Sequence, residues 1–343
     1  MYNSECVNEF IDWLSTEMSG PCGFSALQIA NWYQNERSGL EEIEKLQGGC
    51  TNSVVRIKFY DGVQIKLSVY NSCKSIYGSS YHNDKFIQER SVKNYLYKDE
   101  FKIIYNADPF IVVSEYIDGK SYKDLISDAI SKNNMIEIYN LNLQVVKAIS
   151  RFHNLNSIKT HRSSSVRLAM NFFSSLKEEL ELDENPKFDS RNSELKDIIS
   201  SGIEKILIFE SKFCDSDFVL SHLDTDPVNV LSIINNNRNE SVLIDFEFAG
   251  VGLKYYDYAN YLNALNYLYF DDLIPNSIEE NFINNCKEVI SDFNLEDFWK
   301  SYYIMRFIWG IWYILYGLKK KLSDYIEIGK KWLFDWANEE DVL

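Results

Sequence analysis

Three oxygen-bearing side chains crowd into one late stretch of the chain. They lie in Ser221-His222-Leu223-Asp224-Thr225-Asp226-Pro227-Val228-Asn229-Val230-Leu231 and, a little further on, in Val242-Leu243-Ile244-Asp245-Phe246-Glu247. Asp224 and Asn229 stand five apart across a proline-containing loop that leaves one strand-like piece and enters another. Such a loop can aim a carboxylate and an amide carbonyl at the same place. Asp245 is expected at the end of a buried apolar strand, where an unpaired carboxylate is costly. A divalent cation carried by a phosphate group would satisfy it, and an Asp with an Asn carbonyl, both hard oxygen ligands, suits Mg²⁺ bound to a nucleotide. The chemistry these types point to is phosphoryl transfer, with Asp224 taking the proton of an acceptor hydroxyl while Asn229 and Asp245 hold the metal. Each has a plainer reading, Asp224 as a turn or helix cap and Asp245 as an exposed strand end. The crowding of these residues with Glu247 and Asp257 into one span favours the chemical one. His222 reads as an organiser of the loop, and Asp257 as a group that hydrogen-bonds loop backbone or caps a helix rather than binding metal. Glu247 is open between a supporting role and a second-metal ligand.

The elements that must position these groups can be read from apolar periodicity. Residues 5–19 and 24–46 have helical spacing. Gly48-Gly49 breaks it, and two β-rich runs follow, 53–60 and 63–70, around Asp61-Gly62, a strong hairpin signal. A helix over 84–97 and strands over 101–105 and 110–116 lead to the loop Ile117-Asp118-Gly119. From there the pattern predicts helices over 121–130, 135–154, 164–182 and 193–213, strand-like pieces over 218–220, 229–234 and 241–246, and helices over 256–270, 276–291, 295–319 and 322–337. The expected architecture is α+β and bilobal: a small β-containing lobe over 1–117 that covers the nucleotide, and a larger, mainly helical lobe over 118–343 that carries catalysis and substrate binding. There is no internal repeat.

Composition narrows the class. Of 343 residues 45% are apolar and 25% charged, ordinary for a globular chain. The 35 basic residues against 51 acidic ones leave a net charge of −16, which argues against a nucleic-acid partner and against adsorption to an anionic membrane. The most apolar run, 304–318, carries Arg306 and is too short to span a bilayer, so it reads as a buried helix and no membrane insertion is expected. The first ten residues hold Glu5 and Glu9 and lack a basic segment followed by an apolar one, so no signal peptide is expected. Six scattered cysteines without a Cys-x-x-Cys pair, and four histidines without metal-ligand spacing, fit reduced thiols in a cytoplasmic protein. A homodimer is an admissible assembly, with nothing in the sequence to select it.

The His-x-Asp-x-x-x-x-Asn spacing at His222, Asp224 and Asn229 is the one protein kinases use, with Leu223 where they carry Arg. That departure resembles the small-molecule phosphotransferases. Ile244-Asp245-Phe246-Glu247-Phe248-Ala249-Gly250, then Tyr256-Asp257-Tyr258-Ala259-Asn260, and the late Phe307-Ile308-Trp309-Gly310-Ile311-Trp312 look very like the choline/ethanolamine kinase signature, in a family related to aminoglycoside phosphotransferases. The resemblance implies a protein-kinase-like fold, ATP and Mg²⁺ as cofactors, and a small amino alcohol as substrate. Gly48, Gly49, Thr51 and Asn52 resemble the nucleotide-covering loop, where backbone N–H groups can reach phosphate. Lys66 on the second hairpin strand is the candidate phosphate-pairing base, with Lys58 or Arg56 as alternatives, and Glu89 its candidate ion-pair partner. Glu115, Tyr116 and Ile117 resemble the lobe-connecting segment whose backbone meets adenine. Phe152-His153 resembles the family's helix-ending Leu-His, a structural histidine.

For the acceptor, Trp309 and Trp312 sit three apart on a helix and resemble the family's paired cage tryptophans, which hold a quaternary ammonium by cation–π attraction. With 23 Tyr, 21 Phe and 7 Trp the chain also uses aromatics as core. Phe248 stands where the family usually has Tyr, Ala264 where many members carry Glu, and Ile328 near another expected Tyr; Tyr269 is retained as a wall. Asp226 could supply the negative charge missing at Ala264. The expected reaction is phosphorylation of choline to phosphocholine, a step of phospholipid biosynthesis. The alternatives are ethanolamine, an aminoglycoside or another small hydroxylated molecule, and, outside enzymes, a pseudokinase-like binding module.

Overall fold

Asp61-Gly62 turns the chain back on itself between β2 (Ser53–Phe59) and β3 (Gln64–Val69). Gly62 holds φ at +83°, a conformation that favours glycine, and the Asp61 side chain accepts from Val63 N at 3.1 Å. This computed structural model describes residues 40–46, 53–69, 111–155, 164–182, 189–235 and 238–338. They belong to two units, Met1–Asp118 and Gly119–Leu343. The helices expected over 5–19 and 84–97 and the strand over 101–105 lie outside the described residues, as do Gly48, Gly49, Thr51, Asn52 and Glu89.

In the first unit β1 (Leu40–Lys45), β2, β3 and β4 (Ile111–Glu115) form one antiparallel sheet in chain order. The helix expected to run through residue 46 is therefore corrected at its end to a strand. Leu40 and Ile43 stand three apart, which suits a helix, but the acidic residues between and after them find cations across the ladder. Arg56 reaches Glu44 at 2.7 Å and Glu42 at 3.3 Å, and Lys58 reaches Glu41 at 3.1 Å. Alternation along β2 and β3 buries Ile57, Phe59 and Ile65 and leaves Arg56, Lys58 and Lys66 partly exposed.

The second unit opens with the two-residue strand β5 (Lys120–Ser121), which joins β7 (Val230–Asn235) and β8 (Arg238–Leu243) in a three-stranded sheet. A separate ribbon pairs β6 (Phe218–Ser221) with β9 (Gly250–Leu253). Around them, among the described residues, run eight helices: α1 (Tyr122–Ser131), α2 (Met135–His153), α3 (Ser164–Leu182), α4 (Asp189–Glu210), α5 (Tyr256–Phe270), α6 (Asn276–Val289), α7 (Leu295–Lys320) and α8 (Ser323–Asn338). β9 admits only a small residue at 252, where an added Cβ would lie 3.0 Å from Ser221 Oγ.

Helix α7 is buried on most of its circumference, as its apolar run predicts, and packs on α3, α5 and α8. Its contact with α8 is close, because a Cβ on Gly329 would meet Gly310 O at 2.5 Å. That crossing fixes the height of Trp309 and Trp312 on either side of Gly310. Among the described residues no helix is long and apolar enough to cross a membrane.

Candidate active site

The loop after β6 is held by one buried carboxylate. Asp257, in the first turn of α5, accepts from His222 N and Leu223 N at 2.7 Å each and from His153 Nε2 at 2.8 Å. Burial alone would push its carboxyl up, but the bond and charge of His153, with His222, hold it below the ordinary carboxylate range. Thr225 Oγ1 donates to Asp257 O at 2.6 Å, adding a third tie between the loop and α5. Leu223, fully buried, takes a left-handed φ of 63°, a strained conformation for a residue with a branched side chain. His222 bonds Ile244 O through Nε2 at 2.8 Å and accepts from Asp224 N at Nδ1, 3.3 Å away, so its neutral Nε2–H tautomer serves both partners.

These ties bring the sequence candidates together. Asn229 ends the 3₁₀ turn Pro227–Asn229, and its Nδ2 donates to Asp224 Oδ2 at 2.9 Å and to Asp224 O at 3.0 Å. The amide group thereby commits its N–H side to Asp224 and keeps its carbonyl oxygen for another ligand. Ile244 N donates to the backbone carbonyl of Asn229 at 2.9 Å, which brings the chain just before Asp245 alongside Asn229. The strand expected to reach Asp245 stops at Leu243. Asp245 instead adopts φ 65° and leads into the 3₁₀ turn Phe246–Phe248, its side chain making no capping bond there.

The donor set fits a magnesium ion of the kind nucleotides carry: one carboxylate, one amide carbonyl, and the remaining positions for phosphate oxygens and water. No group of three or more His, Cys, Asp or Glu among the described residues makes a self-sufficient metal cage. Glu247 is buried.

In the first unit two of the three candidate phosphate bases are engaged by β1, Arg56 with Glu42 and Glu44 and Lys58 with Glu41. Arg56 also lies 5.4 Å from the Tyr116 ring. Lys66 pairs with Arg56 on one side and Ser114 on the other in the ladder. Tyr116 N donates to Gln64 O at 3.2 Å, so any adenine contact from Glu115, Tyr116 and Ile117 falls to their other backbone groups.

The aromatic candidates form a cluster of rings. Trp309 stands 5.3 Å from Phe248 edge-on and 5.6 Å from Trp312 at 70°, with Phe172 at 6.0 Å. Trp312 stacks on Tyr316 at 4.8 Å and 10°. Trp309 and Trp312 are 7% and 8% exposed, so much of each indole is in ring packing. Tyr269 is half-buried, and its enclosed Oη has no hydrogen-bond partner among the described residues. Phe172 and Tyr313, which touches Trp312 edge-on at 5.4 Å, were not singled out by motif. Among so many aromatics the sequence holds no signal that separates wall from core.

A family model described as choline/ethanolamine kinase matches residues 43–303. No curated protein sequence matches significantly. Among solved structures, an ethanolamine kinase of Plasmodium vivax is similar at 17% identity over 98% of this chain and 95% of that one, with a TM-score of 0.64. A choline kinase of Cryptosporidium parvum Iowa II is similar at 16% identity over 88% and 89%, TM-score 0.60. A GDP complex of wild-type aminoglycoside 2′-phosphotransferase-IIIa is similar at 14% identity over 93% and 99%, TM-score 0.55. At such identities the likeness speaks for the fold, which is the protein-kinase-like one.

Proposed function

The chain belongs to the choline/ethanolamine kinase family and is a phosphotransferase with an alcohol group as acceptor, and we propose that it transfers the γ-phosphoryl group of ATP to the hydroxyl of a small amino alcohol, choline first. The observation that carries this reading is the join of Asp224, Asn229 and Asp245: the Asn229 side chain grips the Asp224 carboxylate through its N–H side, while its backbone carbonyl takes the N–H of Ile244, the residue before Asp245 in left-handed backbone. Asn229 and Asp245 would hold Mg²⁺, which supplies charge neutralisation on the nucleotide phosphates. Asp224 orients the acceptor hydroxyl; as its oxygen bonds to the γ-phosphorus and the bond to the leaving ADP oxygen breaks, Asp224 takes the proton. Lys66 on β3 is the proposed phosphate-pairing base, with Lys58 and Arg56 as the alternatives.

Trp309 and Trp312, with Phe248 beside them, favour choline, because a quaternary ammonium offers no N–H and is held by aromatic faces. Ethanolamine is the second acceptor, favoured by the enclosed Tyr269 Oη, which can accept an N–H that choline lacks. A coupled ADP-release assay over choline, ethanolamine, aminoglycosides and simple sugars tests both. Turnover is expected with choline above ethanolamine. Turnover confined to aminoglycosides or sugars would overturn the amino alcohol reading, and Mg²⁺-independent nucleotide binding without turnover would favour a binding module.

A further inference from the structure

We propose that Arg306 is a positioning residue for the acceptor: by tying the last turn of α5 to α7, it holds Tyr269 on one helix in register with Trp309 and Trp312 on the other. This rests on the reading of the chain as an amino alcohol kinase. The path from α5 to α6 turns at Asp271 and Asp272, whose φ values of 50° and 65° put two consecutive residues in left-handed backbone. Aspartate tolerates that conformation better than most residues, but it persists only where the surroundings fix it.

Here it is fixed by a closed circuit of bonds. Asn266 O accepts from Asp271 N and, at 3.2 Å, from Asp272 N, while Asn266 Oδ1 accepts from Ile274 N at 2.9 Å. Asn266 Nδ2 donates to Tyr302 Oη at 3.1 Å, and the same oxygen takes Arg306 Nη1 at 3.4 Å. Arg306 Nη2 closes the circuit on Asp272 Oδ2 at 2.9 Å. Lys331 of α8 donates to that carboxylate oxygen too, at 2.6 Å, and Asp335 stands 3.8 Å from the guanidinium. Lys331 is exposed, where an ion pair contributes little. Arg306 is 8% exposed, and a guanidinium taken out of water depends on its partners. Its planar fork meets Tyr302 with one arm and Asp272 with the other, which a lysine ammonium cannot reproduce.

The circuit reaches the acceptor wall from both helices. On α7, Tyr302, Arg306, Trp309 and Tyr313 recur at spacings of four, three and four, which places them along one stripe. The Arg306 guanidinium lies 5.1 Å from the centre of the Trp332 ring on α8. Against that ring stand Tyr267 of α5 at 5.2 Å and Tyr313 of α7 at 5.0 Å, both edge-on, and Tyr313 in turn touches Trp312. On α5 the bonds enclose the turn from Asn266 to Asp272, and that turn carries Tyr269. Ring contacts between the helices fix a shape only by degrees. The directed bonds of Arg306 set the spacing at which the rings meet, so their loss is felt as a wall that no longer matches the acceptor, with the catalytic loop untouched.

Arg306→Met combined with Asp272→Asn removes the ion pair without stranding a buried charge and leaves an oxygen for Lys331; Arg306→Lys keeps the charge and loses the fork. The experiment measures kcat and KM for choline and ethanolamine, the KM for ATP, and calorimetric binding of choline, in wild type and both variants. The double variant is expected to raise the KM of both acceptors by roughly three- to thirtyfold, with kcat and the KM for ATP near wild type, and Arg306→Lys to recover part of the loss. An unchanged acceptor KM, or a loss of kcat and ATP affinity as large as the acceptor effect, would overturn the role of Arg306 while leaving the kinase reading intact. If the double variant does not fold, Arg306→Lys decides alone: a raised acceptor KM at wild-type kcat supports the role, and an unchanged one overturns it. Choline binding that weakens in the variants, in a wild type that phosphorylates no alcohol, would support the positioning role and sink the kinase reading. Absence of both binding and turnover would overturn both.

Discussion

The catalytic loop and the aromatic wall of the second unit are held by opposite means. Residues 222–229 are fixed by directed bonds: Asp257 takes two loop N–H groups and a histidine, Thr225 returns a bond to the same residue, and Asn229 closes on Asp224. The wall of Phe172, Phe248, Trp309, Trp312 and Tyr316 rests on ring against ring, and Trp309 Nε1 is enclosed without a partner among the described residues. Hydrogen bonds fix atoms to within tenths of an ångström and fail abruptly when an acceptor is removed. Ring packing fixes a shape and gives way by degrees. Phosphoryl transfer needs the first kind of support and recognition of a rounded cation tolerates the second, so changes in the loop should reduce kcat and changes in the wall should move KM.

The largest break is expected at the chemical centre. Asp224→Ala removes the proposed proton acceptor and should lower kcat by about 10² to 10⁴-fold, with nucleotide affinity little changed. Steady-state kinetics beside equilibrium nucleotide binding checks this, and near wild-type turnover would move the role elsewhere. Asp245→Asn should instead weaken Mg·ATP binding together with turnover, visible as a lost Mg²⁺ dependence of nucleotide stabilisation.

Next comes the anchor. Asp257→Ala leaves two loop N–H groups and His153 without their acceptor, at a cost of about 1–3 kcal/mol for each buried group stranded. Chemical denaturation should show the loss of stability, and the folded fraction should show a fall in kcat larger than any rise in acceptor KM. A variant with normal kcat would mean that the loop keeps its shape without the anchor, and the contrast drawn above would fail.

Much of this contrast is legible in the sequence, and the part that is not has physical reasons. Asp61-Gly62 marks its hairpin because the turn is local and needs glycine at a positive φ. The spacing of His222, Asp224 and Asn229 is likewise local, and Pro227 marks where the turn begins. β1 is hidden because its strand form depends on Arg56 and Lys58, more than a dozen residues away. β9 is hidden because Gly250 and Gly252 argue against a strand until β6 demands a small residue beside Ser221. Tyr261 could not be told from a core tyrosine, since what distinguishes it is a hydroxyl unpartnered among the described residues, a property of the folded chain.

A smaller effect is expected at the wall. Trp309→Ala removes one indole face, and with a desolvated cation–π contact worth about 2 kcal/mol the choline KM should rise by roughly thirtyfold while kcat is largely kept. Ethanolamine should suffer less. Parallel KM and kcat measurements on both acceptors decide the matter, because equal losses for the two would make Trp309 a core residue.

The smallest effect separates the two regions by pH. The folded-state carboxyl of Asp257 lies below its ordinary range, so the unfolded chain binds its proton more readily than the folded one does. The stability it contributes is therefore fully present above the ordinary carboxylate range and is lost as pH falls through the depressed folded value. Nothing in the wall titrates there: Trp and Phe carry no proton to exchange, and Tyr313 beside them is pushed upward by burial and by Asp226. Acid should thus loosen the loop before it loosens the wall. Denaturation curves for wild type and Asp257→Asn, followed by tryptophan fluorescence from neutral to acid pH, should converge as the medium becomes acidic, because protonation makes the wild-type side chain resemble the amide. A stability gap that stayed constant down to the acid end would show that Asp257 holds the loop without its charge, and directed bonding to an anion would no longer distinguish the loop from the wall.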